Sequence, residues 1–420
     1  MKYEPYKFIT YLFLIVIVIS SIILWLPISH VDGANVSFID AIFTSTSALC
    51  VTGLNTIDFA NTFNTFGIII IALLIQLGGL GIICTAILVF VAFGQKIGLK
   101  HRILIKNSFN LGSLKGIVKF VLSVFKLTFA IEFIGMLLLS FRHIGKYNLL
   151  KVIGLSSFHS ISAFNNAGFD ILSKYNLFDN YSKVITMILI VLGGIGFIVL
   201  SELSSKKIKN ISLQTKIVLL TTIILIVLGT AGYILTTDLS FINSLFLSIS
   251  TRTAGFCNWD LSTLSNPGYL ISIMLMFIGA SPNSTGGGIK TVTFFVLILA
   301  VYSICRNRDY EIFKRSISTS IVNKCLVILF TGILIVFTST FLITCFEPHL
   351  GFREIFFEAV SAYSTTGLSL GITSKLGFIS KFILCITMFI GRVGTLTLLS
   401  IWLKEDQKKI KYPEENIVVG

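Results

Sequence analysis

SISTRTAGFCN, residues Ser248–Asn258, decides the reading of this chain, because three other stretches repeat its plan. They are TSTSALCVTGLN (Thr44–Asn55), SISAFNNAGFD (Ser160–Asp170) and SAYSTTGLSLG (Ser361–Gly371). Each is a weakly polar, helix-like segment that ends in a glycine turn, at Gly255, Gly53, Gly168 and Gly367 respectively. Each lies in a break between two apolar stretches. A second glycine follows at near-constant distance: Gly53 to Gly78 and Gly168 to Gly193 span 25 residues, Gly255 to Gly279 and Gly367 to Gly391 span 24. Four copies of one unit predict a ring closed by pseudo-symmetry. A ring of glycine turns at membrane depth is how a protein builds an ion filter from backbone carbonyls.

Composition places the chain in a membrane. Hydrophobic residues make up 54% and charged residues 12% of 420, with mean hydropathy +0.91; a soluble domain carries about 25% charged residues. Several runs exceed the ~18 apolar residues that span a bilayer. The first, Ile9–Leu26, competes with a signal-peptide reading because Lys2 and Lys7 flank it. It is long for a signal segment and no small-x-small cleavage site follows it, so it reads as a retained span. The seven cysteines are scattered without CxxC, which predicts neither a disulfide framework nor a metal site. The net charge of +14 fits basic cytoplasmic loops and lipid headgroup contact better than nucleic acid.

The apolar runs predict first helices over Lys7–Leu26, Ile117–Phe141, Gln214–Leu235 and Val322–Cys345. Second helices are expected over Phe63–Phe93, Ser182–Ser201, Gly268–Cys305 and Leu376–Leu403. Between them lie Phe38–Cys50, Val152–Asn165, Phe241–Thr251 and Phe352–Ser364, too short to cross and rich in Ser and Thr. Backbone that stops at this depth must be buried in protein or line a wet cavity. The expectation is an all-α membrane protein of four helix–pore-loop–helix repeats, with eight spans and four half-helices around one central pore. The units are 1–100, 101–210, 211–315 and 316–403, followed by a tail at 404–420. Lys and Arg cluster in the linkers between units, at the N-terminus and in the tail, twenty against eight on the other side. That bias puts both termini in the cytoplasm and the glycine turns outward.

The expected filter residues are Val51, Thr52 and Gly53; Asn166, Ala167 and Gly168; Thr253, Ala254 and Gly255; and Thr365, Thr366 and Gly367. A bare carbonyl ring suits a dehydrating K+, and small neighbours let the backbone approach the axis. The four loops differ, so the filter is not strictly four-fold. GASPNSTGGGIKT, Gly279–Thr291, interrupts the third unit's second helix with proline and a triple glycine. A break there predicts a loop in a hydrated cavity below the filter: a gate carried by Ser284, Thr285, Gly286, Gly287, Gly288 and Lys290. A phosphate-loop reading of GGGIKT fails on spacing and lacks a preceding strand. Arg392, at the matching place in the fourth unit, must face water or a partner, and donation to the loop's freed carbonyls would satisfy both groups.

Arg252 reads as a brace for its half-helix, with Glu358 a candidate partner, and His159 as a packed polar residue. Asp58, Asp170 and Asp260 follow three of the glycines as mouth acids or solvated loop acids. Gly78, Gly79, Gly193 and Gly194 either allow close packing or clear space below the filter. No paired acids or histidines within spans suggest a membrane enzyme, and no helix carries Arg at every third position as a voltage sensor would. A generic cation secondary transporter is the competing class, against which the four half-helices argue.

At VTGL (Val51–Leu54), SAFNNAGFD (Ser162–Asp170), RTAGF (Arg252–Phe256), STGGGIKT (Ser284–Thr291) and GRVG (Gly391–Gly394) the chain resembles the bacterial Ktr/Trk/HKT superfamily of K+ transporters. The resemblance covers nearly the whole chain. The chain starts directly at the first outer helix, which is similar to the Ktr membrane subunit rather than the longer Trk type. Asn283 stands where a glycine is usual and Thr395 where a proline is usual. The resemblance implies K+ uptake, often Na+-dependent, in the bacterial plasma membrane, through a pore within one subunit and without an organic cofactor in this chain. It also implies a homodimer on a cytosolic ring of nucleotide-sensing regulator-of-K+-conductance subunits. Trk-type K+/H+ transport and Na+ selectivity are the alternatives within the superfamily.

Overall fold

In a computed structural model of the protein, residues 5–82, 116–204 and 211–394 are described, with isolated positions at 84, 85, 88 and 98. Among them are fifteen α-helices and one short hairpin. They run α1 (Pro5–Trp25), α2 (Phe38–Cys50), α3 (Phe59–Thr62), α4 (Thr65–Leu80), α5 (Ile117–His143), α6 (Leu149–Phe164), α7 (Asn180–Gly194) and α8 (Phe197–Ser204). There follow α9 (Leu213–Thr236), α10 (Phe241–Ser250), α11 (Asn266–Phe277), α12 (Thr291–Cys305), hairpin β1–β2 (Glu311–Ile312, Arg315–Ser316), α13 (Thr319–Phe346), α14 (Phe352–Tyr363) and α15 (Phe378–Val393).

Three helices among the described residues, α5, α9 and α13, are long and apolar enough to cross a membrane, and α7 with α8 forms a pair bent by 100°. The outer helices turn large apolar side chains outward: Phe129, Phe133, Ile223, Val227, Phe330 and Phe341 are each more than half exposed. An apolar outer face of that extent requires a lipid or protein partner rather than water.

The four short helices, α2, α6, α10 and α14, lie inside, and each packs on its preceding long helix. Lipid tails are as apolar as leucine, so burial does not drive this packing; close approach at small residues does. The same crossing is built three times with glycine. A β-carbon on Gly135 of α5 would meet Ser160, one on Gly229 of α9 would meet Ser248, and one on Gly332 of α13 would meet Tyr363. In α1 a small polar residue takes that place, with Ser20 bonded to Ser45. The half-helix serines also bond outer-helix carbonyls: Ser45 Oγ to Ile17 O at 3.2 Å, Ser160 Oγ to Glu132 O at 2.7 Å and Ser248 Oγ to Ile226 O at 3.0 Å.

The expected second helices are corrected in one respect. Among the described residues they also stop early at a glycine in the first, second and fourth units. Helix α4 stops at Leu80 with Gly81 at φ +84, α7 stops at Gly194 with Gly196 at φ +96, and α15 stops at Val393 with Gly394 at φ +90. Each of these glycines lies three residues after Gly78, Gly193 or Gly391. A left-handed residue cannot continue a right-handed helix. Residue 395, the tail from 404 and most of the first linker lie outside the described residues.

Candidate ion filter and gate

The half-helices end alike. The N–H of Val51, Asn166 and Thr365 bonds the carbonyl of Ala48, Ala163 and Ala362 at 3.1–3.2 Å. The next N–H, of Thr52, Ala167 and Thr366, bonds that of Ser47, Ser162 and Ser361 at 2.8–2.9 Å. This is the 5→2 and 6→1 pairing that closes a helix with a left-handed residue. That residue is usually glycine, yet here Val51, Asn166 and Thr365 stand at φ +59, +59 and +49. Thr253 does so at φ +82, in a third copy whose turn pairs differently: Ala254 N and Gly255 N both bond Ser250 O. Two residues on, all four turn glycines are left-handed as well, at φ +94, +71, +72 and +91.

The four glycines close on one another. A β-carbon on Gly53 would meet Ala167 O and the Gly168 Cα; on Gly168, Ala254 O and the Gly255 Cα; on Gly255, Thr366 O and the Gly367 Cα. On Gly367 it would meet Thr52 O and the Gly53 Cα, which completes the circuit. The four strands that carry the twelve residues expected in the filter therefore meet in one ring, and those residues other than glycine are 0% exposed.

A serine locks three of the loops, and sequence reasoning missed it. Ser47 Oγ accepts from Gly53 N at 3.0 Å, Ser162 Oγ from Phe169 N at 3.0 Å and Ser361 Oγ from Gly367 N at 3.1 Å. The signal was a Ser-Ala pair six residues before the glycine in those three copies. In the third copy Ser250 Oγ instead donates to Phe256 O at 2.6 Å.

The second glycines allow close packing. At Gly78, Gly193 and Gly391 a β-carbon would collide with the carbonyl of Leu49, Phe164 or Tyr363, at the end of the unit's own half-helix. At Gly79 it would strike the Asn165 side chain. Gly279 departs, since it faces Gly287 and Gly288 of its own loop.

The loop between α11 and α12 lies against the ring. A β-carbon on Gly286 would meet Thr253, and one on Gly287 would meet Thr365 and Ser364 O. The loop is pinned to the bend of the second unit: Ser281 N bonds Gly194 O at 3.0 Å, and Phe197 N bonds Asn283 O at 2.8 Å. Ser284 Oγ bonds Ser281 O at 2.6 Å, and Thr285 Oγ1 donates to Phe164 O at 3.3 Å. Breaking a helix at this depth frees carbonyls that must find donors. Lys290 Nζ donates to Gly286 O at 2.6 Å and Gly287 O at 3.3 Å, and Arg392 donates to Thr285 O. Arg392 also donates to Gly78 O and Gly79 O of α4, which ties the first, third and fourth units together. Asn283, in place of the usual glycine, stands at φ +57, a conformation asparagine tolerates.

Arg252 and Glu358 do not pair. Arg252 is 8% exposed, with Nη1 3.5 Å from Thr222 O, while Glu358 bonds Thr373. Arg252 lies just past the end of α10, Glu358 lies within α14, and each bonds its own neighbour. His159 is packed, as expected, between Phe178 and Phe256, with Nε2 2.9 Å from Thr186 Oγ1 and Nδ1 3.3 Å from Asp170. The three acids after the glycines each cap a turn: Asp58 accepts from Asn61 N, Asp170 from Leu172 N and Asp260 from Ser262 N. The Ser262 N–H holds the exposed Asp260 carboxyl below the usual carboxylate range, so it is anionic at neutral pH.

Four of the eight basic residues on the turn side are staples. Lys381 Nζ reaches Asp40 at 2.8 Å, Lys183 reaches Asn243 at 2.9 Å, Lys174 reaches Ala60 O at 2.6 Å and Arg353 reaches Leu264 O at 2.9 Å. Each crosses a seam between units.

An inward ring of half-helices, with an apolar outer face, defines a helical membrane transport protein rather than an enzyme. A family model described as "TrkH: Cation transport protein" matches residues 3–239 and 216–411. The chain belongs to that family. It is 38% identical to Ktr system potassium uptake protein D of Bacillus subtilis, over 99% of this chain and 97% of that one. It is 34% identical to the potassium/sodium uptake protein NtpJ of Enterococcus hirae, over 100% and 98%. The crystal structure of the potassium transporter TrkH from Vibrio parahaemolyticus matches 96% of this chain and 86% of that one with a TM-score of 0.77 at 16% identity, which is a likeness of fold.

Proposed function

We propose that this chain is the K+-translocating subunit of a bacterial K+ uptake system. Four pseudo-symmetric repeats, eight spans in all, surround one pore in the plasma membrane, with both termini cytoplasmic. The observation that carries the reading is the closed circuit Gly53–Gly168–Gly255–Gly367. In each strand the residue two before the glycine and the glycine itself are left-handed. The carbonyls of Thr52, Ala167, Ala254 and Thr366 stand at the four seams of that circuit, and a ring of backbone carbonyls replaces the hydration shell of K+.

The segment Gly279–Thr291 is the gate. It lies against Thr253 and Thr365, on the route an ion would take from the ring, and Lys290 and Arg392 hold it there. The names of the curated relatives support K+, with Na+ as a second ion. A homodimer docked on a cytosolic nucleotide-binding ring is the assembly, and hairpin β1–β2 together with Arg306 and Arg308 is the surface offered to it. The test is growth rescue of a K+-uptake-deficient bacterium on low K+, with and without Na+. Rescue on K+ alone or with added Na+ is expected. No rescue, or rescue only of Na+ uptake, favours the Na+-selective or secondary-transporter reading.

A further inference from the structure

Glu132 lies near the middle of the 27-residue α5 and is 6% exposed. An acid buried within a membrane span marks function unless a cation pairs with it. Its partners are amides. Gln76 Nε2 of α4 donates to Glu132 Oε2 at 3.0 Å, and Asn165 Nδ2 donates to Glu132 Oε1 at 2.9 Å. Asn165 Nδ2 also reaches Gln76 Oε1 at 2.8 Å. Three elements from two units thus meet in one closed triangle of hydrogen bonds. Asn165 is the last residue before the second filter strand, Asn166–Gly168, and its side chain fills the space where Gly79 lacks a β-carbon. The Gly79 carbonyl in turn lies 3.4 Å from Arg392 Nη2.

We infer that Glu132 and Gln76 are positioning residues that set the second filter strand through Asn165, and that this donor–acceptor triangle determines how well the filter separates K+ from Na+. The inference rests on the K+ filter reading above. Both carboxylate oxygens accept, so the triangle closes only when positions 76 and 132 hold one amide and one carboxylate. Two amides place donor against donor. Two carboxylates place acceptor against acceptor and charge against charge. Exchanging the pair, Gln76→Glu with Glu132→Gln, keeps every bond: Asn165 still donates to an oxygen at both positions, and the amide at 132 now donates to 76.

The experiment measures K+ uptake and Na+ competition in a K+-uptake-deficient bacterium expressing the full chain, normalised to membrane abundance. Glu132→Gln is expected to raise the K+ half-saturation roughly tenfold, the loss of one buried hydrogen bond, and to let Na+ compete, with maximal flux little changed. Gln76→Glu is expected to do the same, and the exchanged pair to return both readings close to wild type. Rescue by the exchange is not expected of groups that merely fill space. If Glu132→Gln keeps wild-type half-saturation and Na+ exclusion, or if the exchanged pair is no better than its singles, the triangle does not position the filter. Should Glu132→Gln fail to accumulate, Gln76→Ala leaves the carboxylate bonded to Asn165 and carries the comparison, and unchanged half-saturation there overturns the inference. Wild-type chain that takes up no K+ overturns the transport reading itself, and the inference with it.

Discussion

Gly367 packs against Gly53 so closely that a β-carbon on Gly367 would stand 2.9 Å from the Gly53 Cα. These residues are 314 positions apart in the chain. Their contact is the seam at which the ring closes, and it has the same form as the contacts of Gly53 with Gly168, Gly168 with Gly255 and Gly255 with Gly367.

Gly255→Ser tests the ring. The position is at φ +72, where a side chain costs ~1–2 kcal/mol, and the new β-carbon would press on Thr366 O. The strand must shift, so the K+ half-saturation is expected to rise roughly tenfold and discrimination against Na+ to fall. Competition uptake assays check this. Wild-type values in a well-expressed variant would show that Gly255 does not form the filter.

Removing Ser281–Gly288 tests the gate. Flux without any regulator should rise, because the segment lies against Thr253 and Thr365. Arg392→Ala should act in the same direction. It leaves Thr285 O and Gly78 O without this donor, at about 1–3 kcal/mol each, and so loosens the loop. Initial uptake rates in cells lacking the cytosolic subunit provide the measurement. Equal or lower flux in an abundant, folded shortened protein would remove the gating assignment.

The Lys381–Asp40 staple joins the last unit to the first, with both side chains largely buried at 12% and 14% exposure. Lys381→Met and Asp40→Asn should each lower the melting temperature of the detergent-solubilised protein. In a double-mutant cycle they should couple by roughly 0.5–3 kcal/mol. Strict additivity would mean that the pair contributes nothing to closing the ring.

Hairpin β1–β2 turns through Phe313 and Lys314, at φ +50 and +60. Two-residue turns of this hand favour Asn-Gly, and Phe313 is 45% exposed at the tip. Strain of this kind persists where a site needs it. Phe313→Asn with Lys314→Gly should stabilise the hairpin by ~1 kcal/mol or more and weaken co-purification with the regulator. Charge reversal at Arg306 and Arg308 should also weaken it, with filter selectivity intact. A fully active, strictly monomeric protein that binds no cytosolic subunit would refute the assembly.

Much of the site was legible because its chemistry is local. A glycine turn closing a weakly polar segment is written in four short stretches, and the half-helices at Phe38–Cys50 and Phe352–Tyr363 follow from their Ser- and Thr-rich composition and length. That Arg392 would donate to freed carbonyls followed from the cost of its charge. Other features escaped because they depend on who is nearby. Gly81, Gly196 and Gly394 follow helices that end where hydropathy reads on, since apolar content is blind to φ. Glu132 was hidden in an apolar run, with its amide partners 56 and 33 residues away. Glu358 was matched to Arg252 by charge alone, and distance rules it out.

From the sequence alone came the class, the unit and its period, the four glycine-turn strands and the loop that interrupts the third unit. These are properties of residues within about thirty positions of each other, where turn chemistry and hydropathy act directly. The tertiary structure decided the order in which the strands meet, which seams are stapled, and which carbonyls Arg392 and Lys290 satisfy. It also decided that Glu132 stands behind the second strand. Those relations depend on approach between segments up to 341 residues apart. At that range only the packed helices determine which donor reaches which acceptor.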